Sequence, residues 1–253
     1  MTTNETVRLS VRATSQYKAR LAQCAEDVRA AQALRFQVFN VELNEGLEQS
    51  YASGLDQDPF DHVCDHLLVE HCETQSIVGA YRLQTGARAA EGFGYYSARE
   101  FEFGGFERWR EEMIELGRAC VHRQHRNLNV LGLLWKGIAD YARERGGRFL
   151  IGCSSITSQD AAMGASVYAD LCRRHLAPPE WRTRATAAYD CSLDQLRDEP
   201  APIPKLLRAY LTLGAWICGP PALDRQFKTI DFLTLLDLEA LPELAKQRFL
   251  GQY

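Results

Sequence analysis

The chain has 253 residues, of which 46% are hydrophobic and 25% are charged, a balance typical of a globular protein that buries its core in one or two domains. Its formal net charge of -4 argues against a general nucleic-acid-binding protein, because such proteins carry a strongly basic surface. The first twenty residues are polar and resemble no secretory signal, so we expect a cytoplasmic protein with its eight cysteines reduced.

The first half of the chain alternates between predicted strands and helices. Residues 7–13 have the alternation of an edge strand, within a polar N-terminal segment of residues 1–20 that precedes a single domain of residues 21–253. A helix is predicted over residues 22–39. After a loop rich in Gly, Asp and Ser, residues 64–71 and 77–84 are predicted to form a hairpin.

The central stretch reads Glu-Leu-Gly-Arg-Ala-Cys-Val-His from Glu115 and continues into a basic turn and a long amphipathic helix. Alternation over residues 113–121 predicts a strand with Glu115 on one face and Arg118 on the other. The basic turn opens the helix, where free backbone N–H groups and the positive end of the helix dipole meet. Together with Arg123 or Arg126 the turn is suited to a phosphate, although a solvated turn is the alternative.

The second half continues the alternation, which favours a layered α/β or α+β fold over a bundle or a sandwich. Its predicted elements are a strand at residues 148–154, a helix at 159–174, a proline-rich linker at 198–204, a helix at 205–217 and a strand at 229–236. The last helix carries an apolar surface that is a candidate for peripheral membrane contact, with packing on the core as the alternative. Its apolar residues are Leu206, Leu207, Tyr210, Leu211, Leu213 and Trp216, beside Lys205 and Arg208.

Several motifs occur in a defined order along the chain. They are Arg35-Phe36-Gln37-Val38-Phe39 with Glu42, then Asp56, Asp61, Cys64-Asp65-His66, Gly79-Ala80-Tyr81-Arg82-Leu83 and Glu115-Leu116-Gly117-Arg118. In this order they resemble the bacterial ornithine-lipid N-acyltransferases, a group often labelled hemolysin-like. That group resembles acyl-homoserine-lactone synthases and N-acyl amino acid synthases. The resemblance implies a GNAT-type α+β fold, with a mixed sheet flanked by helices and an extra C-terminal helical and strand segment.

The resemblance also implies an activity. The enzyme would move a long-chain or 3-hydroxy long-chain acyl group from acyl carrier protein to the α-amine of an amino acid, L-ornithine foremost, giving a lyso-ornithine lipid. The alternatives are another amino acid, a homoserine-lactone precursor or a glycerolipid as acceptor, or a non-enzymatic hemolysin-like membrane protein. Residues 126–131 lack the glycines that wrap the pyrophosphate of coenzyme A. This favours the acyl-phosphopantetheine of the carrier protein as donor, with no bound cofactor.

The resemblance assigns candidate roles to charged residues. Glu115 would take the proton of the attacking amine, with Arg118 as the second catalytic residue. A structural ion pair between Glu115 and Arg82 is the alternative. A charge network that includes Arg118 would hold the carboxylate and second amine of the acceptor, or would only stabilise the fold. Its other members would be Arg35, Arg82, Asp56, Asp61 and Asp65.

Further roles concern the donor. Backbone N–H groups near Cys120 and Val121, on the splayed core strand, would stabilise the developing oxyanion. Tyr168 is a candidate general acid for the leaving thiolate, with a packed aromatic side chain as the alternative. Direct attack of an amine on a thioester needs no acyl-enzyme, so Cys153 is not expected to act as a nucleophile.

A metal site is not expected. Cys64 and His66 would share one face of a strand, but no second pair follows at the interval of a zinc finger.

Overall fold

The computed structural model describes residues 12–197 and 203–249. The strands in those ranges are β1 (Arg12–Ala13), β2 (Tyr17–Leu21), β3 (Asp65–His71), β4 (Ile77–Thr85), β5 (Met113–Val121), β6 (Phe149–Ile156), β7 (Trp216–Ile217), β8 (Ala222–Asp224) and β9 (Thr229–Asp237). The α-helices are α1 (Ala25–Phe36), α2 (Ser50–Ser53), α3 (Gly86–Glu91), α4 (Leu128–Glu144), α5 (Ala161–His175), α6 (Lys205–Thr212) and α7 (Glu243–Phe249).

All nine strands join one mixed sheet in the order β1-β2-β3-β4-β5-β6-β9-β7, with β8 also paired to β9. The pairing of β5 with β6 is parallel, and the other pairs are antiparallel. The helix between β5 and β6, α4, makes the crossover that a parallel pair requires.

Helices cover both faces of the sheet. Along β3, Leu67 and Val69 pack in the cluster that holds α4, whereas Leu68 packs in the cluster that holds α1. Because successive side chains of a strand point to opposite faces, α1 and α4 lie on opposite sides of the sheet. All three leucine and valine side chains are fully buried.

The predicted hairpin and the predicted strand over residues 113–121 are confirmed, the latter at both ends. The sequence analysis missed β2, which pairs with β3 and extends the sheet to residues before position 21. It also missed β8. Of the edge strand predicted at residues 7–13, only the two residues of β1 lie within the described residues.

The helix predicted over residues 22–39 is shorter than expected. It begins at Ala25 and passes after Phe36 into a π-helical segment, Gln37–Glu42. The loop that follows lies against the cavity described below, to which Leu43 and Glu45 contribute. The wider π turn, a feature frequent at functional sites, therefore leads into the cavity wall.

The helix predicted over residues 205–217 is wrong at its end. Gly214 has a φ of +95° and stops α6 after Thr212, and Trp216 then starts a strand that pairs with β9. The proposed membrane-contacting side chains of this helix are not a free surface, because Leu207, Tyr210 and Leu211 are buried. Its remaining apolar members pack against the core clusters: Leu206, Leu213 and Trp216.

Across the described residues, none of the helices combines the length and the apolar character that a membrane span requires.

Candidate active site

A cavity of about 300 Å³ opens where β5 and β6 separate. The parallel ladder between these strands covers only three pairs and ends at Glu115 opposite Ile151. Beyond this point Leu116 to Ala119 line the cavity from one side, and Cys153 to Ser155 line it from the other. The gap leaves the β6-facing backbone edge of β5 without a strand partner, so its N–H groups there are available to a bound acyl carbonyl.

A bulge on β5 brings Glu115 and Arg118 into the same cavity. Arg118 has a φ of +51°, and the register with β4 shifts there, so that two residues of β5 oppose Tyr81. Such a bulge interrupts the alternation of side chains. The predicted placement of Glu115 and Arg118 on opposite faces is therefore wrong, since both side chains line one cavity.

The carboxylate of Glu115 is held by backbone groups. Its Oε2 accepts a hydrogen bond from Tyr96 N at 2.8 Å, and its Oε1 accepts one from Ser97 N at 2.7 Å. Only 5% of the residue is exposed. Burial raises the pKa of Glu115, although the hydrogen bonds from Ser97 and Tyr96 and the charge of Arg82 oppose the rise. Among the described residues, Glu115 forms no ion pair with Arg82 or with another cation. The alternative in which Glu115 serves only as one half of a structural ion pair is therefore not supported.

Three arginines and three aspartates form a buried, charge-balanced network beside this carboxylate. Arg118 pairs with Asp56 at 3.3 Å and with Asp58 at 2.8 Å. Arg82 pairs with Asp58 at 2.6 Å. The remaining pairs join Arg82 to Asp61 at 3.2 Å, and Arg35 to Asp56 at 3.1 Å and to Asp61 at 2.7 Å. Through these pairs the segment of residues 56–61 is joined to Arg82 and Arg118, which both line the cavity.

Asp58 is a member of this network that the sequence analysis missed. It caps the 3₁₀ turn Pro59–His62, with its side chain accepting from Phe60 N and Asp61 closing the capping box. Burial by itself would raise the pKa of Asp58, but the guanidinium groups of Arg82 and Arg118 hold it below its usual range. The spacing Asp-Pro-x-Asp, with proline at the first position of the turn, is a readable sequence signal for this cap.

Asp65, predicted as a member of the network, lies outside it. Its carboxylate accepts a hydrogen bond from Tyr141 of α4 at 2.8 Å and pairs with Arg88 at 3.0 Å. It does not line the cavity. Asp65 thus contributes to the packing of α4 on the sheet, whereas Cys64 of the same motif lines the cavity.

The side chains flanking Arg118 are aromatic. Its guanidinium lies 4.7 Å from the ring centroid of Tyr96 and 4.3 Å from that of Phe227. Both rings line the cavity. Stacking of this kind fixes the plane of a guanidinium as well as its charge.

The predicted donor residues lie along the distal part of β5 and the turn after it. Cys120 points its side chain into the cluster under α1, and burial raises the pKa of its thiol to about 12, so only its backbone can contact a donor. Val121 O accepts a hydrogen bond from Arg126 Nε at 3.0 Å. Arg123 is exposed in the turn, whereas the guanidinium of Arg126 is bidentate to Glu42.

The start of α4 is capped by the protein itself. Asn127 Oδ1 accepts hydrogen bonds from Asn129 N at 3.0 Å and Val130 N at 3.1 Å. Two of the backbone donors predicted to hold a phosphate are thereby occupied, and Arg126 is engaged by Glu42. The anion site predicted at this turn is therefore largely filled by side chains of the chain.

Tyr168, the predicted general acid, is placed away from the cavity. It packs in the cluster between α5 and β9 and does not line the gap between β5 and β6. Burial and a hydrogen bond with Cys172 raise the pKa of Tyr168. The packed-aromatic alternative is the one that the structure supports.

A second group of buried acids, not found from the sequence, borders the same cavity. Glu45, Asp224 and Asp231 line it, and Glu100 lies behind Asp231 and Cys153. The signal was weak because these residues are spread over four separate segments of the chain.

Within this group, one ligand atom each from Glu100, Cys153 and Asp231 lies within 4.8 Å of the others. Over residues 12–197 and 203–249, no other set of three such side chains meets this criterion. The predicted non-nucleophilic Cys153 has a thiol whose pKa is raised far above its usual value by burial and by the neighbouring carboxylates.

Comparison with known proteins places this geometry in context. Residues 34–136 match a family described as an Acetyltransferase (GNAT) domain. A Rhodobacter capsulatus protein named L-ornithine N(alpha)-acyltransferase is 34% identical over 238 residues, covering 90% of this chain and 92% of that protein. A Brucella abortus protein of the same name is 32% identical over 252 residues, covering 92% of this chain and 87% of that protein.

Solved structures are similar in fold. FeeM, an N-acyl amino acid synthase from uncultured soil microbes, aligns with a TM-score of 0.52 and 14% identity, covering 94% of this chain and 98% of that chain. The AHL synthase LasI aligns with a TM-score of 0.51 and 11% identity, covering 94% and 96%. The predicted GNAT-type α+β fold is confirmed.

Proposed function

This chain belongs to the L-ornithine N(α)-acyltransferase family and is an N-acyltransferase, and we propose that it transfers a long-chain acyl group to the α-amine of L-ornithine. The donor is the acyl or 3-hydroxyacyl thioester of acyl carrier protein, and the product is a lyso-ornithine lipid. The observation that carries this proposal is the carboxylate of Glu115, which is buried, faces the cavity and has no cationic partner among the described residues.

The carboxylate suits a general base for this reaction. An α-amine is mostly protonated near neutral pH, because its pKa is about 8. Glu115 accepts that proton directly or through one water, and the raised pKa of Glu115 makes it a stronger acceptor than an exposed glutamate. The backbone donors Tyr96 N and Ser97 N fix the carboxylate while it acts.

The bond changes then follow at the gap between β5 and β6. The nitrogen lone pair attacks the thioester carbonyl carbon, and the carbonyl π electrons move onto oxygen. Unpaired backbone N–H groups along the edge of β5 beyond Leu116 stabilise that oxyanion. The nitrogen of the intermediate then loses its second proton to solvent. Collapse forms the amide, breaks the carbon–sulfur bond and releases the phosphopantetheine thiolate, which takes up the proton held by Glu115 or one from solvent.

The donor assignment is supported by the start of α4. The turn has no glycine that would let its backbone wrap a pyrophosphate, and Asn127 occupies two of its N–H groups. A carrier protein presents its acyl group without the nucleotide part of coenzyme A, so an enzyme that uses this donor needs no pyrophosphate-binding loop. Arg123, exposed in the same turn, offers a positive charge to an acidic carrier surface.

Mass spectrometry of the reaction tests the proposal. Purified protein is incubated with palmitoyl and 3-hydroxypalmitoyl carrier protein, in parallel with the matching coenzyme A thioesters, and with ornithine or a pool of the other amino acids. We expect N-acylornithine from the carrier-protein donors. An equal yield from coenzyme A would refute the donor assignment, and a larger yield on another acceptor would refute ornithine as substrate.

A further inference from the structure

The acidic wall of the cavity consists of Glu45, Asp224 and Asp231, with Glu100 behind them. Its acids differ from those of the arginine network in one respect. Asp56, Asp58 and Asp61 each pair with arginine. In contrast, no Lys, Arg or His forms an ion pair with the acids of the acidic wall within residues 12–197 and 203–249, where the structure is described. These acids are Glu45, Glu100, Asp224 and Asp231, all buried.

Asp231 is the least satisfied of these side chains. It is 4% exposed, and its Oδ1 is buried without a hydrogen-bond donor. Its Oδ2 accepts a long hydrogen bond from Thr229 Oγ1 at 3.3 Å, and the side chains of Ser155 and Glu100 also form hydrogen bonds with this carboxylate. Because a buried carboxylate oxygen without a donor is costly, its presence on a cavity wall indicates a missing cationic or donor group.

Two further acids line the same part of the cavity, and neither has a cationic partner among the described residues. Glu45 accepts from Thr157, and Asp224 Oδ1 accepts from Gln226 N at 2.7 Å and Phe227 N at 3.0 Å. Burial raises the pKa of Glu45 and of Asp231, as is expected where no cation offsets desolvation. A ligand that supplies both positive charge and N–H donors would satisfy the group.

We infer that Asp231, assisted by Glu45 and Asp224, binds the side-chain ammonium of a basic amino-acid acceptor. An ammonium group offers three N–H donors and one positive charge, which matches carboxylates that lack both. This inference deepens the proposed function and rests on it, because it assigns the specificity for a diamino acid to a particular wall of the same cavity.

The position of the group relative to Glu115 fits a diamino acid. Ser97 N donates to Glu115, and Ser97 Oγ lies 3.5 Å from Cys153 Sγ, which lies 3.6 Å from Glu100. The base and the acidic wall are therefore separated by two intervening side chains. An acceptor with its α-amine at Glu115 can direct a second amine, a few methylene groups away, to the acidic wall.

The Asp and Arg network is not available for this task. Its three aspartates face three arginines, so its charges are balanced. We therefore favour the acidic wall around Asp231 over those aspartates as the site of the second amine of the acceptor.

The test compares ornithine with L-norvaline, which has the same carbon chain without the terminal amine. Binding of each amino acid is measured by calorimetric titration in the absence of acyl donor, and acyl transfer is measured separately with acyl carrier protein. We expect the parent protein to prefer ornithine by about 10- to 100-fold in both measurements, as for a hydrogen bond to a charged group.

The variant Asp231→Asn removes the charge with little change of volume, and Glu45→Gln does the same at a second position. Each is expected to reduce the ratio of ornithine to norvaline by at least about 10-fold. The matched control, Asp170→Asn, changes an exposed carboxylate of α5 and is expected to leave the ratio unchanged. If Asp231→Asn does not fold, the Glu45→Gln ratio decides.

The outcomes separate the two proposals. Selective, Asp231-dependent binding of ornithine without acyl transfer would support the ammonium site and refute the proposed reaction. Acyl transfer to ornithine and norvaline with equal efficiency would refute the ammonium site and leave the acyltransferase intact. Retention of zinc through Asp231, with no preference for ornithine, would overturn the inference in favour of a metal at Glu100, Cys153 and Asp231.

Discussion

Glu115 and Arg118 lie on the same strand and both reach one cavity, because Arg118 has a φ of +51° and interrupts the alternation of β5. This relationship sets the chemistry of the site. It places a carboxylate with a raised pKa and a guanidinium that lies against the rings of Tyr96 and Phe227 in the lining of the same cavity.

Replacing the carboxylate of Glu115 is expected to abolish proton acceptance. Glu115→Gln should lower kcat for acyl transfer by about 10²- to 10⁴-fold, the usual contribution of a general base. In the parent protein, kcat/KM should fall as the pH decreases through the raised pKa of Glu115, because only the ionised form accepts a proton. Activity is measured across pH by product formation.

The control for that variant is Glu111→Gln, an exposed glutamate just before the same strand, which should retain full activity. Circular dichroism checks that both variants are folded. Full activity of a folded Glu115→Gln variant, with the same pH profile as the parent, would exclude Glu115 as the base.

Removing the charge of Arg35 should destabilise the protein. Arg35→Met leaves Asp56 and Asp61 with an uncompensated buried charge, which typically costs about 3–5 kcal/mol of unfolding free energy. Urea unfolding followed by fluorescence measures the effect. The control Arg29→Met, on the exposed side of the same helix, should change stability by less than about 0.5 kcal/mol. Similar losses in the two variants would contradict a structural role for the network.

Just beyond the last paired residues of β5 and β6, the two backbones are still close together, and adding a methyl group at Gly152 tests this closeness. A Cβ at Gly152 would lie 2.2 Å from Leu116 O, a contact that requires backbone movement. Gly152→Ala should therefore cost about 1–3 kcal/mol of stability. Gly105→Ala, where nothing lies within 4 Å of the added Cβ, is the matched control. An unaltered midpoint of thermal unfolding for Gly152→Ala would show that the strands can separate freely there.

Carrier-protein binding should depend on the exposed charge of Arg123. Arg123→Glu is expected to raise KM for acyl carrier protein by about 5- to 10-fold at low salt, with a smaller effect at high salt because screening weakens the attraction. The control Arg173→Glu reverses an exposed charge on α5. KM is measured by steady-state kinetics at two ionic strengths. If Arg123→Glu has the same KM for acyl carrier protein as the parent and the control, Arg123 has no role in docking the carrier protein.

The acidic wall should make stability depend on pH in a defined direction. Burial raises the pKa of Asp231, so the folded protein binds more protons than the unfolded chain between the ordinary and the raised pKa. The contribution of Asp231 to the free energy of unfolding is therefore greatest below the ordinary carboxyl pKa of about 4. This contribution is lost as the pH rises through the raised pKa.

This dependence is measured by urea unfolding at a series of pH values. The parent should lose stability relative to Asp231→Asn as pH rises, and the comparison cancels contributions that both proteins share, such as that of buried His66. Asp170→Asn should follow the parent. A parent that gained stability relative to Asp231→Asn over this range would contradict an uncompensated charge at Asp231.

Sequence patterns determined much of the fold. The hairpin of β3 and β4 and the full length of β5 follow from alternation, which is a local property of the chain. The order of the motifs pointed to the GNAT-type fold and to Glu115, Arg118 and Arg35 as neighbours of one site. The same local reasoning gave Asp58 no role, although its Asp-Pro-x-Asp spacing was readable.

Tertiary structure alone decided where those side chains point. The bulge at Arg118 depends on the register with β4, and a positive φ at a non-glycine residue has no sequence signature. The acidic wall depends on contacts among segments far apart in the chain, from Glu45 to Asp231. The sequence shows where the acidic residues are, but only the packing of the chain determines whether an arginine contacts each of them. Asp61 pairs with Arg35, whereas Asp231 has a buried oxygen without a hydrogen-bond donor.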